Sequence, residues 1–181
     1  MSADLVATSK FLSFVLRHKP EAIGLVLDAN GWASLDELLR LANRHGHAMT
    51  IEDVVSVVAS SDKQRFALDP AGERIRANQG HSVGVDLGLA ALSPPELLYH
   101  GTAERFLPSI RQSGLLKQAR HHVHLSQDAR TALKVGGRHG QPVVLTVRAA
   151  SLSASGHPFY RSENGVWLTG HVPPAFIEFP A

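Results

Sequence analysis

The sequence predicts an α+β protein in two units, helical first and richer in strands second. Three observations carry this. Apolar residues in the first half recur at helical spacing in three separate stretches. The second half alternates short β-branched runs with helical stretches. Between them Gly84, Gly88, Pro94 and Pro95 break regular structure. The expected units are therefore residues 1–83 and 96–181, with a linker at 84–95.

In the first unit, Phe11, Leu12, Val15 and Leu16 fall on one helical face, and Pro20 stops that helix just beyond Arg17 and His18. Asp28 to Gly31 is a turn. Ser34 with Glu37 has the form of a capping box, followed by Leu35, Leu38, Leu39 and Ala42 at helical spacing. Thr50 is placed to cap a third helix carrying Ile51, Val54, Val55 and Val58. Residues 66–68 and 74–77, joined through Asp69-Pro-Ala-Gly72, read as a β-hairpin. Three helices followed by a hairpin is the winged-helix order.

In the second unit, residues 97–100 form a short strand and 104–112 a helix closed by Gly114. Residues 122–125 read as a strand and 128–135 as a helix ended by Gly136 and Gly137. Residues 142–148, 166–169 and 175–179 complete the expected strands, and Asn164-Gly165 is a strong turn before the second of these.

Composition bounds the function. The 181 residues are 44% hydrophobic, ordinary for a globular chain. No apolar run approaches the length that spans a bilayer. The start, Met1-Ser2-Ala3-Asp4, lacks an apolar signal core, so the expected location is cytoplasmic. The absence of cysteine excludes disulfides, thiolate catalysis and cysteine-ligated metal centres. The net charge of +2 excludes a heavily basic nucleic-acid coat and predicts that contact with a polyanion is focused at one site.

Two basic clusters are the clearest chemical signal. Arg17-His18 sits at a helix end; Arg76-Ala-Asn-Gln-Gly-His-Ser82 follows a strand. Guanidinium forks and imidazoles beside Gln79, His81 and Ser82 suit a phosphate group that is both gripped and made to react. A cationic last turn opposing the helix dipole, and a solvated hairpin arm, are the plain structural readings of the same residues. Their joint presence in one small unit favours a site.

The second unit adds His100-Gly101-Thr102, where glycine permits close approach of backbone to a ligand. His122 and His124 alternate onto one strand face as a conceivable metal pair, with Asp128 as the nearest carboxylate. A ligand-orienting or network imidazole is the stronger reading, and no metal is expected. Lys134-Val-Gly-Gly-Arg-His-Gly140 is glycine-rich and basic, but its spacing is neither a Walker A loop nor a dinucleotide fingerprint. No serine-hydrolase elbow, HExxH helix or kinase signature is present. The residues read as a two-substrate enzyme acting on a phosphorylated polymer.

These segments, in this order, resemble the tRNA 2′-phosphotransferases, also called NAD-dependent RNA 2′-phosphotransferases. The resemblance runs nearly full length. It covers Leu12 to Pro20, Gly24 to Asp28 with Gly31-Trp32, Arg76 to Ser82, Leu98 to Thr102, Arg120 to Ser126, Val135 to Gly140 and Asn164 to Thr169. It implies an N-terminal winged-helix lobe and a C-terminal ADP-ribosyltransferase-like lobe. The implied activity removes an internal 2′-phosphate from RNA, as at a tRNA splice junction, by transfer to NAD⁺. A 2′-phosphate oxygen attacks C1″ and expels nicotinamide, giving an RNA-2′-phospho-ADP-ribose intermediate. O2″ then attacks phosphorus, leaving 2′-OH RNA and ADP-ribose 1″,2″-cyclic phosphate.

The resemblance implies a catalytic tetrad of Arg17, His18, Arg76 and Arg120; Arg120 enters through the resemblance alone. It places His100, Gly101, Thr102, His124, Ser126, Gly137, Arg138 and Val166 around NAD⁺, and leaves Gln79, His81 and Ser82 for the RNA phosphate. Val166 stands where many ADP-ribosyltransferases carry a catalytic glutamate, and Glu163 is a poor substitute. That weighs against ordinary protein ADP-ribosylation. The implied partners are a 2′-phosphorylated RNA and NAD⁺, for a monomer with no membrane and no metal. Two other readings stay open: an ADP-ribosyltransferase capping terminal phosphates of RNA or DNA, and a non-enzymatic winged-helix nucleic-acid binder.

Overall fold

A computed structural model describes residues 3–61, 63–138 and 140–180. Met1 and Ser2 of the acidic start, and His139 of the glycine-rich stretch, lie outside the described residues. The chain divides into two units, one ending at Gly88 and one beginning at Leu89.

Unit 1 begins with α1 (Ala3–Arg17), whose Leu12, Val15 and Leu16 are fully buried. A 3-10 turn at Pro20–Ile23 follows, because proline cannot continue the α1 ladder. Then come β1 (Trp32–Ser34), α2 (Leu35–Arg44) and α3 (Ile51–Ser60), and after them β2 (Phe66–Leu68) and β3 (Arg74–Ala77). The sheet order is β1-β3-β2, antiparallel throughout, with Trp32 opposite Arg76 and Phe66 opposite Ala77. β1 adds a strand to the expected hairpin; three residues straight after a turn are too few to show a period.

The caps form largely as the sequence reads. Ser34 Oγ accepts from the Glu37 N–H, while the Glu37 carboxylate pairs with Arg40. The reciprocal capping box forms at Thr50 and Asp53. Ile75 and Ala77 join Leu12, Val15, Leu16, Leu38, Val54 and Val57 in the core of this unit. The period of two in β3 thus turns Arg74 and Arg76 to the opposite face.

Unit 2 carries β4 (Leu97–Ala103), α4 (Leu107–Ser113), β5 (Leu115–Leu116), β6 (Val123–Leu125), α5 (Ala129–Gly136) and β7 (Pro142–Arg148). After these come α6 (Ala149–Ala154), β8 (Phe159–Arg161), β9 (Trp167–Thr169), β10 (His171–Val172) and β11 (Ile177–Glu178). Small antiparallel sheets run β11-β7-β4, β6-β9-β8 and β10-β5. The first two meet where the N–H of Tyr99 donates to Ser126 O and that of Ser126 returns to Tyr99 O, at 2.8 Å each.

Three expectations need correction. The strand expected at 97–100 runs on to Ala103, so His100, Gly101 and Thr102 all lie inside β4, opposite Leu145, Val144 and Val143. The strand expected at 175–179 shrinks to Ile177–Glu178 behind a 3-10 turn at Pro174–Phe176, since paired prolines favour a turn. The stretch expected as linker divides between the units. The Asp86 N–H donates to Ala29 O in unit 1, and the Leu92 N–H donates to Phe159 O in unit 2.

The tightest packing in unit 2 is α5 against β4. A Cβ on Gly101 would stand 1.7 Å from Ala132 O, and one on Gly136 would stand 2.4 Å from Thr102 O. Both glycines are required by the approach of helix backbone to strand backbone. Gly101→Ala is expected to destabilise the protein by about 3 kcal/mol, the upper end for overpacking, because backbone cannot step aside as a side chain can. Urea unfolding measures this; a loss under about 1 kcal/mol would contradict the packing described.

Candidate active site

In unit 1 the C-terminus of α1 is latched by the loop after β3. Helix-terminal carbonyls lack intrahelical donors. The Arg17 carbonyl finds one in the Ser82 N–H at 2.9 Å, with Ser82 Oγ 3.4 Å away. The loop turns at Gly80, whose φ of +87° favours glycine, and a Cβ there would lie 3.7 Å from Arg17 Nη1. Arg17 Nη2 donates to Arg65 O at 3.3 Å, and the guanidinium lies over the Phe66 ring at 5.7 Å. The base of the loop is fixed by the Asn78 N–H on Arg65 O and the Asn78 side chain on Gln64 O, at 2.9 and 2.6 Å.

His18, exposed, sits with Nδ1 3.0 Å from Ser82 Oγ. In the charged imidazole both nitrogens donate. The chain then has one polarity: His18 Nδ1–H to Ser82 Oγ, and Ser82 O–H to Arg17 O. Arg17, His18 and Ser82 thus come together as the sequence implies, with Gln79 half-buried in the same loop.

His81 is placed differently from its neighbours. It is 1% exposed, with Nε2 3.4 Å from the position of a Gly31 Cβ. It packs under the turn and is walled off from solvent.

Arg76 lies over Trp32 at 4.6 Å, its cross-strand neighbour. Arg74 shares that ring at 5.4 Å and is bound to Asp69 at 3.0 Å and Asp28 at 3.8 Å. Arg74 thus engages the carboxylates of Asp28 and Asp69. Trp32 is the site-supporting residue that residue-by-residue reading missed; its signal was its place opposite Arg76, visible only once β1 is known.

In unit 2, β4 and β6 bring His100, His124 and Ser126 together through the Tyr99–Ser126 bridge. His100 Nδ1 lies 3.0 Å from His124 O. A carbonyl only accepts, so Nδ1 carries the proton and Nε2 of the neutral ring is an acceptor. Burial pushes the His100 pKa below the ordinary histidine value, and the positive charge of Arg120 acts the same way; the bond to His124 O opposes them. Arg120 itself is exposed, in the turn before β6, where its N–H donates to Lys117 O.

Thr102 is buried, and Gly137 and Arg138 are exposed at the end of α5. Val166 ends the β8–β9 turn, its N–H donating to Ser162 Oγ and its carbonyl accepting from the Ser162 N–H. The His122 and Tyr160 rings meet tilted at 59°, centroids 5.5 Å apart, and Asp128 caps α5 through the Arg130 and Thr131 N–H groups. Among the described residues, no cluster of three or more His, Asp or Glu side chains is arranged to hold a metal ion.

Comparison with known proteins places the chain. Residues 3–171 match the family model described as RNA 2′-phosphotransferase, Tpt1 / KptA family. The chain belongs to this family. It is 54% identical over 177 residues to a probable RNA 2′-phosphotransferase of Acaryochloris marina, covering 98% of each chain. It is 54% identical over 183 residues to one of Rhodopirellula baltica, covering 99% of this chain and all of the relative. A probable RNA 2′-phosphotransferase of Escherichia coli is 53% identical over 178 residues, covering 98% of this chain and 92% of the relative. The family match spans both units, so the Arg17 cluster and the His100 cluster belong to one enzyme family. Among the described residues no helix is long and apolar enough to cross a membrane.

Two measurements test this geometry. With its folded-state pKa below the unfolded one, His100 leaves the unfolded chain binding the extra proton as pH falls below about 6.5. Its contribution is thus a loss of stability on acidification, and by NMR the His100 ring is expected to take up its proton at a lower pH than in the urea-unfolded chain. A His100 signal titrating as it does in the unfolded chain would refute the burial argument. Ser82→Ala removes the partner of His18 Nδ1. The His18 ring nitrogen shifts should then move toward a solvent-averaged mixture, with His100 unchanged; an unaltered His18 would mean that Ser82 does not position it.

Proposed function

We propose that the protein transfers an internal 2′-phosphate of RNA to NAD⁺, giving 2′-OH RNA, nicotinamide and ADP-ribose 1″,2″-cyclic phosphate. The observation that carries this is His18, held by Ser82 beside the latched guanidinium of Arg17, in a chain of this family. The proposal includes a winged-helix lobe in unit 1 and an ADP-ribosyltransferase-like lobe in unit 2. The order α1–β1–α2–α3–β2–β3, with β1 completing the hairpin sheet, supports the first.

The residues of unit 2 fit a ribose-bearing co-substrate. With Nδ1 committed to His124 O, neutral His100 offers Nε2 to a ribose hydroxyl. NAD⁺ supplies an electrophilic C1″ with nicotinamide as its leaving group. Arg17 and Arg76 neutralise the RNA phosphate and the charge that grows on its non-bridging oxygens. Their planar forks are oriented by Phe66 and Trp32. His18 moves the proton that O2″ releases to the RNA 2′-oxygen as its bond to phosphorus breaks. Arg120 adds positive charge on the His100 side. Guanidinium groups serve here where a metal ion otherwise would, so none is needed for charge neutralisation.

A short RNA with one internal 2′-phosphate, with and without NAD⁺, tests the proposal by mass spectrometry. The expected result is NAD⁺-dependent loss of the phosphate with the cyclic phosphate as co-product. Arg17→Ala, His18→Ala and Arg120→Ala should each slow turnover by about 10²–10³-fold, the scale of losing one transition-state donor. Stable ADP-ribosylated RNA ends in place of phosphate loss would favour the end-capping reading.

A further inference from the structure

Asn78 is a buried polar side chain of unit 1 that the proposed reaction does not use. It stands directly after β3. Its backbone N–H donates to Arg65 O at 2.9 Å and its Nδ2 to Gln64 O at 2.6 Å. A carbonyl only accepts, so the amide nitrogen is the end that faces Gln64. The other end, Oδ1, is buried with no hydrogen-bond partner among the described residues. The side chain therefore contributes one donor, aimed at one carbonyl. Gln64 is the residue that needs it. Its φ is +39°, in the left-handed region that a side chain with a Cβ rarely adopts. Its N–H donates to Ser61 O at 2.8 Å, closing the turn between α3 and β2. The next carbonyl, that of Arg65, accepts both the Asn78 N–H and Arg17 Nη2. One residue thus grips two successive carbonyls, and Arg17 rests on the second. The residue after them, Phe66, carries the ring over which the Arg17 guanidinium lies, and it pairs with Ala77 next to Asn78.

We propose that Asn78 is a positioning residue for Arg17. By holding Gln64 in its left-handed conformation, it fixes the Arg65 carbonyl that orients the guanidinium. The inference rests on the proposed function only for the reaction in which Arg17 takes part. Three features support it. The amide bond falls on the one residue of the turn whose backbone is strained, where a restraint matters most. The two bonds of Asn78 reach consecutive carbonyls, so neither can turn without the other. The second of those carbonyls is a printed acceptor of Arg17 itself. A guanidinium set by one carbonyl and one ring keeps the rest of its fork pointed in a fixed direction. Freed from the carbonyl, it rotates, and a donor displaced by about 1 Å loses rate without losing charge. Asn78 touches no reacting atom; it acts through Gln64, Arg65 and Arg17 in turn.

The test uses the full chain, with Asn78→Ala, Gln64→Gly and the two combined, each checked for folding by circular dichroism. NMR of the Arg17 guanidinium, without any substrate, reads its rotation. Rotation should be faster in Asn78→Ala than in the wild type. Glycine takes a positive φ without steric cost, so the combined variant should slow it again. In the transfer assay Asn78→Ala should lower kcat about tenfold, less than loss of Arg17 itself, with KM for NAD⁺ within about twofold of wild type. Gln64→Gly should restore at least about a third of the lost rate. If Asn78→Ala does not fold, Gln64→Val strains the same φ with Asn78 intact, because a β-branched residue resists that region, and it should loosen Arg17 likewise. Arg17 signals that none of these variants moves overturn the positioning role. A loss of activity that Gln64→Gly does not recover also overturns it, leaving Asn78 a support of the loop alone. Arg17 loosened and restored as expected, in a protein with no NAD⁺-dependent transfer, would sink the functional reading and leave the positioning standing. Transfer at the wild-type rate in Asn78→Ala would do the reverse.

Discussion

The hydrogen bond from the Ser82 N–H to the Arg17 carbonyl ties down the end of α1, and the geometry of unit 1 depends on it. The last carbonyls of a helix need donors from outside it. Here the donor comes from 65 residues downstream, on a loop that can reverse only because Gly80 takes a positive φ. One residue then does three things. Its backbone caps the helix, its hydroxyl bridges Arg17 O and His18 Nδ1, and its position brings Gly80 against the guanidinium. Beneath this, Leu12, Val15 and Leu16 of α1 share a core with Ile75 and Ala77 of β3. The helix and the strand feeding the loop are thus held by the same apolar contacts. Fully burying side chains of this kind stabilises by roughly 1.5–3 kcal/mol each.

Unit 2 solves a similar problem by backbone contact. Glycine at 101 and 136 lets α5 lie directly on β4, which fixes the strand carrying His100. A glycine beside a candidate ligand residue invites the reading that it admits the ligand. At Gly101 the space is filled by Ala132 O, so its first use is architectural. Its effect on chemistry is indirect: β4 cannot shift without losing the helix, so His100 keeps its bond to His124 O. A ring so committed, when neutral, presents Nε2 as its acceptor.

The sequence made the local periodicities legible and left the pairings hidden. The faces of α1, α2 and α3 were readable because burial and helical spacing coincide at Leu12, Leu38 and Val54. Thr50 and Asp128 announced two helix starts by their capping chemistry. β1, β5, β8 and β10 went unseen, for runs of two or three residues show no alternation. The same limit hid Trp32 as the partner of Arg76, since that relation exists only across a strand pair. His81 illustrates the converse. Its motif grouped it with Gln79 and Ser82, yet the loop turns at Gly80 and sends it into the interior. Arg120 is legible in neither period nor cap, because it sits in an irregular turn; family resemblance alone singled it out.

A chain with a net charge of only +2 must bind a polyanion by placement, not by total charge. The two arginines of β3 show how. Arg74 and Arg76 share the face above Trp32, and Arg74 draws in Asp28 and Asp69, binding both. Two carboxylates beside the sheet are thereby held on one guanidinium, at the end of β3 farther from the loop. Arg76 stands one strand period nearer the loop that carries Ser82. A field concentrated in this way attracts a phosphate locally without the broad salt-sensitive stripe of a general nucleic-acid binder.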